Sequence, residues 1–166
     1  MKKRIAYLAL FFVIMLLFFM LQKPCFMLYN DAPGRAVPFI GYLQVMLHGM
    51  SLDAATTGYL TALPWLAVLI SIWFKKFPLR SILTGYYAVI CLLVSLIFVG
   101  DMCLYPFWNF KLDASIFLYL DSPKNAMASV STGFILLRVL IILLLSGFLT
   151  WILYKVTPRH LPPAQR

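Results

Sequence analysis

Two ionisable residues, His48 and Asp53, lie five positions apart at the start of an apolar segment, and they are the first pair in the chain that could carry chemistry. A histidine and a carboxylate at such a place could contact a lipid headgroup or pass a proton. The alternative is structural: an interface histidine, with Ser51 or Asp53 as the N-cap of a helix. Ionisable groups in a membrane point to function only when they are truly buried, so the structural alternative is favoured.

Two further acids, Asp101 and Asp113, flank an aromatic cluster that contains Trp108. Paired carboxylates can carry acid–base chemistry or bind a metal ion. Twelve positions separate these two acids, so the spacing gives little support to a shared site. Solvated acids at a membrane surface, where aromatic rings also settle, are the favoured interpretation.

Arg138 lies about one turn into the last apolar segment. It could hold the phosphate of an anionic phospholipid, pair with Asp101 or Asp113, or simply extend its side chain to the headgroups. A charge at the centre of a bilayer costs about 2.5–3.5 kcal/mol on insertion scales, and much less near the end of a span. The sequence does not fix the depth of Arg138, so these alternatives stay open.

The composition places these residues in a membrane protein. Of the 166 residues, 63% are hydrophobic and 11% are charged, whereas soluble domains contain about a quarter charged residues. Backbone groups in lipid must bond internally, so spans are helices or closed barrels, and the apolar runs lack the alternation of barrel strands. The sequence therefore predicts an all-α fold, a polytopic membrane helical bundle of four transmembrane helices plus short interfacial helices.

The whole chain, residues 1–166, is interpreted as a single transmembrane domain. Its apolar runs are close to the roughly 20 residues that a span needs, and they cover residues 5–22, 57–74, 81–100 and 134–154. A kink is expected at Pro64. A loop is expected at residues 22–35, and outer interfacial segments are expected at 36–56 and 101–131, the second with short helices over 112–120 and from 123. The residues after the first run form a poor cleavage site, so this run is interpreted as an uncleaved helix rather than a signal peptide.

The distribution of basic residues predicts the topology. The net charge is +9, and the basic residues lie at the edges of the apolar runs, so topology explains them better than nucleic-acid binding does. With the N-terminus inside, the outside segments contain four Lys or Arg, and the inside segments contain nine: Lys2, Lys3, Arg4, Lys75, Lys76, Arg80, Lys155, Arg159 and Arg166. The positive-inside rule then predicts that both ends of the chain are cytoplasmic.

The three cysteines show no redox or metal-binding spacing. Cys91 lies in the middle of a predicted span, where a small apolar side chain is expected. Cys25 and Cys103 both fall outside in the predicted topology and could form a disulfide, although their spacing says nothing about geometry.

Two stretches of the sequence resemble a known family. The first is HGMSLD from His48, continuing through Tyr59-Leu60 to Leu63-Pro64, and the second is D-x-x-L-Y-x-F-W from Asp101, followed by Leu112-Asp113, Tyr119, Ser122-Pro123-Lys124 and Ala128-Ser129. Together they resemble the N-terminal membrane region of the lipoteichoic acid synthase-like family, most closely its members in Gram-negative, Bacteroidetes-type bacteria. The resemblance covers roughly residues 36–154, and Asn109 stands where the family pattern has Gly.

The resemblance implies several membrane helices, typically five, followed by an extracytoplasmic domain of the sulfatase/alkaline-phosphatase type. Such a domain uses a Thr nucleophile and a divalent metal, of the Mn or Mg type, to transfer a phosphoglycerol-type group from a phospholipid. Nothing in this chain matches that domain, so no catalytic residue, cofactor or metal ligand is assigned here. The chain would then end at the cytoplasmic turn before a fifth helix.

The first hypothesis is therefore the membrane anchor of a phosphoglycerol- or phosphoethanolamine-transferase in a bacterial cytoplasmic (inner) membrane. Its expected partners are membrane lipids, anionic or zwitterionic phospholipids, and its own missing extracytoplasmic domain. The residues expected to contact a lipid headgroup or to dock that domain are His48, Asp53, Asp101, Trp108, Asp113 and Arg138. The alternative is a stand-alone, non-catalytic scaffold or assembly subunit. A small transporter is disfavoured, because no internal repeat stands out.

Overall fold

The structure is a computed structural model that describes residues 2–30, 37–74, 78–109, 111–112 and 131–158, without the side chains of Phe107 and Trp108. Of these described residues 91% are helical, and they form five helices. The helices are α1 (Lys2–Tyr29), α2 (Phe39–His48), α3 (Met50–Trp73), α4 (Leu79–Trp108) and α5 (Thr132–Val156).

Four of these helices, all except the ten-residue α2, are long and apolar enough to cross a membrane. Many of their large apolar side chains are exposed, among them Leu66, Ile97 and Leu144. A water-soluble protein rarely exposes so much apolar surface, whereas lipid covers it without penalty. The predicted all-α, multi-pass membrane fold is therefore confirmed.

Helix α1 is longer than predicted. The loop expected at residues 22–35 was wrong for residues 22–29, because the helix continues through Pro24 to Tyr29. Residues 25–29 are apolar apart from the tyrosine hydroxyl, and helical hydrogen bonds keep their backbone groups satisfied. The helix ends where the backbone N–H and the side-chain amide of Asn30 both donate to the carbonyl of Phe26, at 3.0 and 3.2 Å.

The second long helix also starts earlier than predicted. The expected interfacial segment 36–56 is divided at Gly49 between the short α2 and the first two turns of α3. The predicted N-cap role of Ser51 or Asp53 was wrong, because Gly49 precedes the helix and no side chain caps it. Asp53 instead lies in the first turn of α3, where a negative charge interacts favourably with the helix dipole.

Helix α4 continues past the predicted boundary at Gly100, through Pro106, to Trp108. It is followed by Asn109, whose φ of 57° is the left-handed conformation. The N–H of Asn109 donates to the carbonyl of Tyr105 at 2.8 Å. Asn tolerates this conformation better than most residues other than Gly, which explains how a side chain is accommodated at position 109.

The chain divides into two compact units. The first unit comprises residues 1–87 and 150–166, and its core contains Phe11, Met15, Leu83, Tyr87 and Leu153. Within it, α1, α2 and α3 pack against one another. The second unit comprises residues 88–149, with Ile90, Cys91, Ser95, Val99 and Leu149 buried. The predicted short helices over 112–120 and from 123 lie outside the described residues, apart from Leu112.

Candidate functional site

A buried ion pair joins α1 to α3 in the first unit. The ammonium of Lys23 donates to Oδ2 of Asp53. The two side chains are only 19% and 11% exposed, so each charge depends on the other for its stabilisation. Sequence analysis singled out Asp53 and missed Lys23, which it had assigned to a loop.

The position of this pair along α1 indicates its depth in the membrane. Lys23 lies 19 residues after Arg4, and residues 5–21 between them are apolar. At 1.5 Å per residue this separation is about 29 Å, close to the roughly 30 Å thickness of the hydrocarbon core. The Lys23–Asp53 pair therefore lies near one border of the core, and Arg4 lies near the opposite border.

The Lys23 side chain crosses directly over Gly49, the residue that separates α2 from α3. A Cβ atom at position 49 would overlap Cε and Nζ of Lys23. The backbone of Gly49 has φ −84° and ψ −3°, which any residue can adopt. A larger residue here would therefore have to displace the end of the Lys23 side chain, whereas the backbone conformation itself would tolerate it.

His48, the last residue of α2, is exposed. Its Nδ1–H donates to the carbonyl of Gln44, one turn earlier, at 2.8 Å. No hydrogen bond joins His48 to Asp53 within this described segment, so the two residues do not form the proton-passing pair considered from the sequence. The exposed Nε2 of His48 remains free to face a headgroup or a docked domain, and that contact stays a prediction.

Asp101, in α4, holds the segment that follows this helix in place through a hydrogen bond. Its Oδ1 accepts a hydrogen bond from the backbone N–H of Leu112 at 2.8 Å. A Cβ atom on the neighbouring Gly100 would lie 3.2 Å from Cδ1 of Leu112, so the returning chain packs closely on this turn. In the described structure Asp101 acts as a positioning residue for the start of the outer segment.

Arg138 is half-buried on α5, in the second unit. Its guanidinium lies 4.5 Å from the ring centre of Phe134, one turn earlier, in a cation–π contact. The proposed contact of Arg138 with a phospholipid stays a prediction. The side chain of Trp108 and the whole of Asp113 lie outside the described residues.

Metal and thiol chemistry can be checked only where the structure describes the chain. Within the described ranges no group of three or more His, Cys, Asp or Glu residues could hold a metal ion. Cys25 and Cys103 are free thiols, so the disulfide considered from the sequence is not formed in this structure.

A chain of buried hydroxyl groups, which sequence analysis missed, joins three helices in the first unit. The hydroxyl of Thr157 donates to the carbonyl of Leu153 at 2.7 Å. Because that uses its single proton, Thr157 must accept from Tyr87, whose hydroxyl lies 3.0 Å away. Tyr87 then accepts from Tyr7, the other hydroxyl in contact with it. The sequence signal for this hydroxyl chain was the presence of tyrosines inside the predicted spans, because a buried tyrosine hydroxyl needs a hydrogen-bond partner.

The described residues therefore form a membrane domain with a buried ion pair near one border and a buried hydroxyl chain nearer the other. In comparisons with known proteins, no protein family, no curated protein and no solved structure matches this chain. The function must be inferred from the residues and their geometry.

Proposed function

We propose that this chain is the membrane anchor of a transferase that acts on phospholipid-derived phosphoglycerol or phosphoethanolamine groups at the outer face of a bacterial cytoplasmic membrane. The proposal rests on the resemblance to lipoteichoic acid synthase-like proteins. It is supported by the four apolar helices, which would hold a catalytic domain at the lipid surface. The divalent metal and the Thr nucleophile belong to the catalytic domain and not to this chain.

The observation that carries the proposal is the position of the two motif stretches at helix ends. The first stretch forms the α2–α3 turn, where Gly49 admits Lys23 and Asp53 holds it. The second stretch begins in the last turns of α4 and includes Asn109 in the left-handed conformation. Each stretch by itself therefore supports a specific structure at its own helix end better than a plain lipid-facing helix.

Different motif residues would then have different roles, each within its own unit. Asp53 and Asp101 position backbone segments through their contacts with Lys23 and Leu112. The exposed His48 would contact a lipid headgroup or the catalytic domain, with Trp108, Asp113 and Arg138 as the other proposed contacts. The lipids would be anionic or zwitterionic phospholipids, and no role is proposed for a nucleic acid.

The direct test of this function is to read the gene onward from the codon for Arg166. We expect the frame to continue into a fifth apolar segment and a large domain that contains a Thr nucleophile and clustered Asp and His. In that longer protein, replacing Asp101 and Asp113 together by Asn should lower phospholipid turnover at unchanged expression. A stop codon directly after Arg166 would contradict the proposal and favour the alternative, a non-catalytic membrane scaffold.

A further inference from the structure

Arg80, near the start of α4, contacts both the ring and the backbone carbonyl of Tyr154. Its guanidinium lies 3.8 Å above the ring centre of Tyr154, and its Nη2 donates to the Tyr154 carbonyl at 3.3 Å. Its Nε is buried and has no hydrogen-bond partner in the part of the chain that the structure describes. A buried donor without an acceptor is costly, so this N–H favours the binding of an acceptor such as a phosphate oxygen.

Other positive groups gather at the same end of the first unit. Lys155 follows Tyr154 directly, and its ammonium lies 5.7 Å from the ring centre of Trp151. The bonds from Tyr7 to Tyr87 and from Tyr87 to Thr157 hold the start of α1 and the end of α5 beside the first turns of α4. The start of α1 adds three basic residues, Lys2, Lys3 and Arg4.

In the part of the chain that the structure describes, no salt bridge joins Arg80 or Lys155 to an acid. All five acidic residues are aspartates, at positions 31, 53, 101, 113 and 121. None lies in residues 1–30, 54–100 or 132–166, which contain all of the basic residues just described. The aspartates that the structure describes therefore supply no anion to Arg80 or Lys155.

We propose that Arg80 and Lys155 form a binding site for a phosphate group, carried by an anionic phospholipid of the surrounding leaflet. A guanidinium held flat on a ring presents its fork in a fixed orientation, which suits phosphate oxygens. Trp151 and Tyr154 are 56% and 38% exposed, as expected of aromatic residues at headgroup depth. Basic pockets between membrane helices bind phospholipid headgroups in this way.

The site is separate from the proposed transferase function. The predicted topology puts Arg80 and Lys155 at the cytoplasmic leaflet, whereas the Lys23–Asp53 pair falls near the outer border. A lipid held here would anchor α4 and α5 against the inner leaflet whether or not a catalytic domain follows the chain.

The test measures lipid binding to the purified full chain in a neutral detergent. Native mass spectrometry counts the lipid molecules bound to each protein. Phosphatidylglycerol should bind at least about tenfold more tightly than phosphatidylcholine, and Arg80→Gln should weaken phosphatidylglycerol binding about tenfold or more. Arg80→Lys should be intermediate, because it keeps the charge and loses the fork. The matched control is Lys3→Gln, which removes one exposed charge at the same end and should change binding by less than about twofold.

Variants at Tyr154 distinguish a loss of lipid binding from a loss of folding. Inorganic phosphate distinguishes a lipid ligand from a free anion. Tyr154→Phe keeps the ring and the backbone carbonyl, so it should bind lipid normally, whereas Tyr154→Ala should bind weakly while its circular dichroism stays helical. Equal binding of phosphatidylglycerol by Arg80→Gln and the unchanged protein would overturn the proposal. A different result would overturn the lipid assignment: the protein binds phosphatidylglycerol and phosphatidylcholine equally tightly, and millimolar inorganic phosphate displaces phosphatidylglycerol. The site would then be one for soluble phosphate.

Discussion

Replacing Asp53 by Asn is expected to lower the free energy of unfolding by about 3 kcal/mol, because it leaves the ammonium of Lys23 buried without its counter-charge. The two side chains are 19% and 11% exposed, so solvent screens the pair only in part. The measurement is unfolding by sodium dodecyl sulfate in mixed micelles, followed by circular dichroism. Asp53 also fixes the α2–α3 turn, so the variant should expose that turn to proteolysis.

Two further variants show whether the pair or the single charge matters. Lys23→Met combined with Asp53→Leu removes both charges and should recover most of the lost stability, since an apolar pair of similar volume often replaces a buried ion pair without penalty. Lys3→Met, at an exposed position, should change the stability by less than about 0.5 kcal/mol. A stability loss in Asp53→Asn no larger than that in Lys3→Met would show that the ion pair is not formed in the membrane.

The same pair can be disturbed without changing any charge. In Gly49→Ala the new methyl group would occupy the space of Cε and Nζ of Lys23, so the ammonium must move away from Asp53. Gly58→Ala is the matched control on α3, because a Cβ atom there meets nothing within 4 Å. Gly49→Ala should destabilise the protein, whereas Gly58→Ala should stabilise it by up to about 1 kcal/mol through its higher helix propensity.

The largest expected effect is that of Tyr87→Ala, which should lower the free energy of unfolding by about 4 kcal/mol, in the range for truncating a large core residue. Tyr87 is fully buried. Its ring stacks on Phe11 with ring centres 5.7 Å apart, and its hydroxyl contacts both Tyr7 and Thr157. The loss therefore combines a cavity, a ring contact and two hydrogen bonds.

Tyr87→Phe separates the hydroxyl from the ring. It should account for about 2 kcal/mol of the loss, because the buried Tyr7 hydroxyl loses the Tyr87 acceptor, whereas Thr157 keeps its bond to the Leu153 carbonyl. Tyr59→Ala, the same truncation at a side chain that is 83% exposed on α3, is the control and should change the stability little. If Tyr87→Phe unfolds at the same detergent concentration as the unchanged protein, the hydroxyl chain contributes nothing to stability.

The helices could be predicted from the sequence because a bilayer leaves the backbone few alternatives. Their ends were predicted less well, since the continuation of a helix can depend on a contact made elsewhere in the chain. Helix α1 passes Lys23 because Asp53, 30 positions later, supplies the counter-charge. Likewise, the contact between Tyr7 and Tyr87 spans 80 positions, a separation that local pattern does not reveal.

The candidate site was predicted only in part, for the same reason. Asp53 and Asp101 were selected by residue type, but their partners, Lys23 and the backbone of Leu112, could not be inferred from spacing. The left-handed backbone at Asn109 was not predicted from the sequence. The topology prediction already counted Arg80 and the other basic residues near it. The contact between Arg80 and Tyr154, however, could be seen only in the folded structure.

The central claim is that this chain is a four-span membrane domain with its motif residues at the outer face. The most direct test is a pair of topology reporters. Alkaline phosphatase and green fluorescent protein are fused in turn after Lys76 and after Lys124. We expect fluorescence without phosphatase activity at Lys76, and phosphatase activity without fluorescence at Lys124, because the positive-inside rule puts these residues on opposite sides. Phosphatase activity at both sites, or at neither, would contradict both the four-span topology and the outer position of the Lys23–Asp53 pair.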